Sequence, residues 1–179
     1  DERLIIKDGG YKRKHFSHSS GKKCSYDNYL HSLAERKFAE WFNSSNEIFL
    51  QYCVKGLCQN YDKCIWRNDP FQDYTCIAHN EKVSSLTHSY DNIEIEKHYG
   101  GFIWDLWITN SKNSDIPPIA IEIYVTHKCE DKKLQSGVII IEIKIESEEQ
   151  LDEYVNSNII KQNKNVVLHN FQTKSHYIE

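Results

Sequence analysis

The sequence predicts an α/β (α+β) domain: a mixed β-sheet flanked by helices, with a cysteine-rich insertion after the first helix. Three observations carry this expectation. Three strongly apolar β runs follow one another: FIWDLWIT (Phe102–Thr109), IAIEIYVT (Ile119–Thr126) and VIIIEIKI (Val138–Ile145). Ahead of them, apolar residues recur at helical spacing from Tyr26 to Phe42. Between the two, four of the six cysteines crowd into Cys53–Cys76. A chain of 179 residues is long enough for one domain, 1–179, with residues 53–79 as an insertion within it.

Taken in order, residues 1–25 read as a short strand, a Gly9-Gly10 turn and a basic loop holding His15 and His18. The first helix then buries a stripe of Leu30, Leu33, Ala34, Phe38, Trp41 and Phe42, with Asp27 as its expected N-cap. His31 and Glu35 lie four apart beside that stripe, His31 standing between a site role and a packing role. The segment Asn43–Asn46 ends the helix, and Ile48–Tyr52 is a short strand leading into the cysteines. Lys82–Leu86 and Ile93–Glu96 are weaker strand candidates.

The polar loop NSKNSDIPP joins the first two strong strands as a long hairpin. HKCEDKKLQSG, between the second and third, leaves room for a short helix and a parallel crossover. Ser147–Val155 is a helix whose SEEQ start supplies an N-cap serine and a Gln three residues on. Asn165–Phe171 is a last short strand.

With 39% hydrophobic, 12% aromatic and 27% charged residues, the composition is globular rather than disordered. No apolar run approaches the roughly 20 residues of a membrane span, and the start has no signal-like apolar region. The chain has no Met, an initiator included, which suggests a trimmed or processed start. A soluble, cytoplasmic protein is expected.

A net charge of −4 does not advertise nucleic-acid binding, but the charge is uneven. Lys12, Arg13, Lys14, Lys22 and Lys23 make the first segment basic, whereas Glu146–Glu153 is acidic. The basic segment is read either as a solvated surface or as a contact to phosphates through Lys12, Arg13 and Lys14.

Cys53, Cys58, Cys64 and Cys76 are spaced C-x4-C-x5-C-x11-C, looser than the paired cysteines of a zinc ribbon. Reduced thiolates around a structural Zn²⁺ are the leading reading, unligated thiols the next, and disulfides the last. A metal would order a window that is otherwise polar and loop-like, and His79 could replace one cysteine. Among the nine histidines, His88, His98, His169 and His176 have no motif context and are expected in loops or at the surface.

Two carboxylates sit inside the apolar runs. By strict alternation Asp105 points with Ile103 and Trp107, and Glu122 with Ala120, Tyr124 and Thr126. A hairpin would set Asp105 and Glu122 side by side, where their repulsion is relieved by a cation between them. A hard divalent ion held by two carboxylates, a backbone carbonyl and waters meets that need, and it suits phosphodiester hydrolysis. An alternative registration pairs Glu122 with Glu142, because VIIIEIKI contains an E-x-K of Glu142 and Lys144. The hairpin argument favours Asp105, leaving Glu142 and Lys144 at a solvent-exposed end of the last core strand.

IEIYVTHKCEDKK, preceded by a hairpin strand bearing Asp105, resembles the PD-(D/E)xK nuclease superfamily with its restriction-endonuclease-like fold. More narrowly it is similar to the competence protein CoiA-like group. HFSH (His15–His18) and the YLHSLAERKFAEWF helix also look like that group's opening segment. The resemblance implies that Asp105 and Glu122 ligate Mg²⁺ or Mn²⁺, with Glu35 as a third acid and the Ile123 carbonyl completing the shell. Where the superfamily has Lys, and this group often Gln, the chain has Tyr124. Lys133, or else His127, is then the residue that would act on the transition state.

The expected function is therefore a Mg²⁺- or Mn²⁺-dependent nuclease (a hydrolase and endonuclease-like enzyme) acting on DNA, with a zinc-stabilised insertion. Nucleic acid is the expected partner, no membrane is involved, and a homodimer is compatible with this reading. The alternative is a catalytically degenerate nuclease-fold module whose zinc site binds nucleic acid or a protein; Tyr124 is the residue that favours it.

Overall fold

The computed structural model describes residues 25–57 and 77–171, together with two short strands at 4–7 and 15–18; for those two strands, and for 55–57 and 77–80, it describes the backbone alone. Within these residues the chain is mixed α+β, with two mixed sheets and flanking helices.

Strands β1 (Leu4–Lys7) and β2 (His15–His18) pair antiparallel, so part of the expected basic loop is a strand. Helix α1 follows (Tyr26–Ser44). Its N-cap is Ser25, whose hydroxyl accepts the Asn28 N–H at 3.1 Å, and not Asp27, which lies in the first turn. Ser and Asp are both good caps, and the chain becomes helical two residues earlier than an Asp27 cap requires.

Strand β3 (Phe49–Leu57) pairs antiparallel with β4 (Ile77–Ser85), register Leu57↔Ile77. Residues 53–57 and 77–79, expected in the insertion, are therefore strand. After the short helix α2 (Leu86–Ser89) come β5 (Asn92–Tyr99), β6 (Phe102–Thr109), β7 (Ile119–Tyr124), helix α3 (Asp131–Leu134) and β8 (Ile139–Lys144). Helix α4 (Glu148–Ser157), β9 (Ile159–Lys161) and β10 (Val166–His169) complete the order.

The larger sheet runs β10-β8-β7-β6-β5. Its β6–β7 pair is the antiparallel hairpin expected, and β7–β8 is the parallel crossover expected. A second sheet, β4-β3-β9, contains the parallel β3–β9 pair. This second sheet departs from the single mixed sheet expected, because IIK at Ile159–Lys161 is too short to announce a strand by alternation.

Strand β7 is buried along its whole length. It lies between β6 and β8 and is covered on both faces, which is why its sequence is apolar almost throughout rather than alternating. One face packs Ile119, Ile121 and Ile123 with Leu106, Ile108, Ile141 and Ile143 against Leu30, Ala34 and Phe38 of α1. The other face forms a smaller cluster of Trp104, Trp107, Ala120 and Ile140. Burial of each large aliphatic side chain contributes about 1.5–3 kcal/mol before entropy is counted. The first face joins both sheets, since Ile48, Leu50 and Ile160 belong to the same core.

Alternation breaks at Asp105. Trp104 and Trp107, three residues apart, share one cluster, while Leu106 faces the other. The β5–β6 ladder pairs Ile95 with Leu106 and Lys97 with Trp104, but skips Glu96 and Asp105, and Glu96 is left-handed at φ 51°. A non-glycine residue in that region costs roughly 1–2 kcal/mol. The consequence is that Asp105 does not point with Ile103 and Trp107, as strict alternation predicts. Its carboxylate turns to helix α1 instead.

Candidate active site

The β6–β7 ladder also stops at Leu106↔Ile121, one pair short of Asp105 and Glu122. Beyond it, side chains take over from the backbone. Asp105 Oδ2 accepts the Ile123 N–H at 2.7 Å, and Glu122 Oε1 lies 3.4 Å from the Asp105 N–H. The two strands thus part where the two acids stand adjacent, and the gap opens a polar cleft.

That cleft, about 190 Å³, is lined by His31, Asp105, Glu122, Tyr124, His127 and Lys133, among others. A larger groove of about 660 Å³ between α4 and β9 contains none of the clustered acids. Four elements converge on the smaller cleft.

Helix α1 contributes His31 and Glu35 on one face. His31 Nε2 lies 3.2 Å from Asp105 Oδ2, and Nδ1 lies 3.7 Å from Glu35 Oε2. Burial lifts the Glu35 carboxyl to about 7, with Asp105 adding to the rise and His31 opposing it. His31 is itself held above its ordinary value, first by its hydrogen bond to Asp105, against the opposing effect of burial; the Ile123 carbonyl adds to the rise.

The crossover after β7 contributes the cation. Lys133 Nζ donates to Glu122 Oε2 at 2.7 Å and stands 5.2 Å from the centre of the Trp104 ring. Both members of this pair are largely buried. Burial and the neighbouring Asp105 nevertheless push the Glu122 carboxyl up, with Lys133 opposing.

The donor set suits a divalent cation. Ligand atoms of His31, Glu35 and Asp105 all lie within 4.8 Å of one another, and Glu35 is a buried carboxylate whose charge lacks full compensation. The set's two carboxylates are ordinary donors for Mg²⁺ and Mn²⁺, and its imidazole is a usual donor for transition-metal ions. Glu122 adjoins this trio through Asp105, but its Oε2 is engaged by Lys133.

Of the residues singled out from sequence, Asp105, Glu122, Ile123, His127 and Lys133 line one cleft, His127 at its exposed rim, and Glu35 joins them through His31 and Asp105. Lys144, by contrast, pairs with Glu146 at the surface. Cys53 is exposed on β3 and has no disulfide partner among the described residues; Cys58, Cys64 and Cys76 lie outside the described residues, as do Lys12, Arg13 and Lys14.

Two expectations are overturned. Glu142 is buried, not at an exposed strand end: it registers beside Glu122 across β7–β8, where both faces of the sheet are covered. His169 is half-buried and in contact with it, Nε2 lying 3.2 Å from Glu142 Oε2. The E in VIIIEIKI was the signal for Glu142; nothing in the sequence joined it to a histidine on the next strand but one.

Family models, curated proteins and solved structures give no match to this chain. No helix among the described residues is long and apolar enough to cross a membrane.

Proposed function

We infer that this chain is a metal-dependent nuclease of the PD-(D/E)xK type, hydrolysing phosphodiester bonds of DNA. The observation that carries the reading is the return of Lys133 to Glu122 across the crossover, at 2.7 Å. At Tyr124 the sequence lacks the cation that such a site needs two residues after its glutamate. Lys133 supplies one in the same cleft, from a different element.

His31, Glu35 and Asp105 would hold Mg²⁺ or Mn²⁺, with Glu122 as the adjoining acid. Such an ion neutralises phosphate charge and acts as a Lewis acid. The chain's own residues do the rest. Asp105 is fixed by the Ile123 N–H, so its carboxylate meets α1 in one orientation. Glu122 and the Trp104 ring hold the Lys133 ammonium in a partly dehydrated setting, where its charge acts strongly on a phosphate gaining negative charge. His127, at the rim, is available to a phosphate oxygen on the DNA strand.

Incubation of supercoiled and linear DNA with Mn²⁺ tests the reading, with Glu122→Ala as the comparison. Cleavage by the wild type and its loss in the variant are expected. Absence of metal-dependent cleavage in the wild type, or equal cleavage by the variant, would overturn it. The zinc reading of Cys53, Cys58, Cys64 and Cys76 is separate: freshly purified protein should carry zinc in a one-to-one ratio by elemental analysis.

A further inference from the structure

Lys133 sits on a helix that cannot place itself. Helix α3 is four residues long, and its N-cap Glu130 makes no side-chain capping bond. One turn of helix fixes several backbone dihedrals for a single hydrogen bond, so it has little stability of its own. Something outside it must hold the crossover for the ammonium to reach Glu122.

Two side chains do so, one from each end. Glu142, buried on β8, accepts the Cys129 N–H on Oε1 at 2.7 Å, and its other oxygen lies 3.2 Å from His169 Nε2. Asn170 follows β10 in the left-handed region, at φ 57°. Its amide donates both protons, to the Leu134 and Val138 carbonyls, each at 2.8 Å. The first bond ties the chain just before α3. The second pair ties the end of α3 to the residue that enters β8. His169 and Asn170 are neighbours in sequence, so the end of β10 braces both anchors.

We propose that Glu142 and Asn170 are positioning residues that clamp the crossover at Cys129 and at Leu134–Val138, and so set Lys133 against Glu122. This rests on the nuclease reading for its catalytic consequence, though not for its geometry. Neither residue lines the cleft, and both act through Lys133. The chemistry of the clamp is specific. Loss of the Glu142 acceptor leaves a part-buried N–H unpaired, whereas a glutamine in its place offers the same oxygen acceptor to Cys129 and an amide donor to His169.

The test uses Glu142→Leu, Glu142→Gln and Asn170→Gly in the full chain, the glycine chosen because it tolerates the left-handed backbone. Two readouts are needed. One is amine acylation read by mass spectrometry, comparing Lys133 with its exposed neighbour Lys132. In the wild type and in Glu142→Gln, Lys133 should react more slowly than Lys132; in Glu142→Leu and Asn170→Gly it should approach the Lys132 rate.

The other readout is Mn²⁺-dependent DNA cleavage. A misplaced group costs up to about 100-fold, so Glu142→Leu and Asn170→Gly should lower kcat by about 10- to 100-fold with KM for DNA unchanged. Combined with Lys133→Met, neither should lower kcat beyond Lys133→Met alone, because both act through that side chain. A general loss of structure would instead raise labelling of Lys132 and Lys133 alike and add to the Lys133→Met defect. Unchanged Lys133 labelling in Asn170→Gly, or additive losses in the double variants, would overturn the proposal. If Glu142→Leu does not fold, Asn170→Gly decides. If the wild type does not cleave DNA, the nuclease reading fails while the labelling still decides the clamp.

Discussion

Lys133 Nζ lies 2.7 Å from Glu122 Oε2, closing a loop of eleven positions between a core strand and a one-turn helix. A glutamate in the middle of IAIEIYVT is costly to bury unless a partner compensates it. In this fold the partner comes from the same stretch of chain, and it brings a positive charge to the cleft that Tyr124 does not provide. The pair is at once the account of how Glu122 is buried and the reason to read the cleft as reactive.

Protonation should govern the stability of the metal-free protein through Glu35. Its folded value of about 7 lies above the ordinary 4.5, so the folded state binds this proton more tightly than the unfolded state does. Stability is therefore highest below the unfolded value and falls as pH rises through the folded one, by about 3 kcal/mol. His31 is also raised, so its contribution is likewise lost on going alkaline, and the raised Glu122 carboxyl has the same sign as Glu35. Denaturant unfolding of metal-free protein should show lower stability at pH 8 than at pH 5. Glu35→Gln should flatten that slope, and Mn²⁺ should stabilise the wild type more at pH 8 than at pH 5. A slope unchanged in Glu35→Gln would contradict the assignment.

Tyr124 should be dispensable for catalysis. It is buried at the cleft wall, where its ring contributes packing, and the proposed function gives the role of the missing cation to Lys133. Tyr124→Phe keeps the ring and should leave Mn²⁺-dependent cleavage near the wild-type rate. A large loss of kcat in that variant would assign the phenol a direct part.

Stability and activity should separate away from the cleft. Ser147 caps α4 through the Gln150 N–H, and Ser147→Ala should cost about 1 kcal/mol with cleavage unchanged. Ile141 is fully buried in the core that packs against α1, and Ile141→Ala should cost about 2–5 kcal/mol through the cavity it leaves. Thermal unfolding of the two variants gives the comparison. Equal destabilisation would contradict the placement of Ile141 at the centre of the core.

Much of this arrangement is legible in the sequence, and the gaps have physical causes. The stripe from Leu30 to Phe42, the turn chemistry of NSKNSDIPP and the short connection HKCEDKKLQSG are local signals. They gave α1, the β6–β7 hairpin and the β7–β8 crossover. Those three elements suffice to bring Glu35, Asp105 and Glu122 near one another, with Lys133 on the connection between β7 and β8. The turn of Asp105 toward α1 was not legible, because it depends on a left-handed Glu96 on the neighbouring strand, and glutamate carries no signal for that conformation. Burial of Glu142 was hidden for a similar reason. Its partner His169 sits 27 residues on, and only the antiparallel register of β10 with β8 brings them together.

The central claim is that Lys133, held by Glu122, acts on a phosphodiester beside a metal held by His31, Glu35 and Asp105. Nicking of supercoiled DNA by the wild type and by Lys133→Met, each with Mn²⁺, tests it most directly when Mn²⁺ binding is measured on the same preparations. The account predicts Mn²⁺-dependent nicking by the wild type, and a loss of about 10²- to 10³-fold in kcat for Lys133→Met with Mn²⁺ still bound. Nicking by Lys133→Met at the wild-type rate would contradict it.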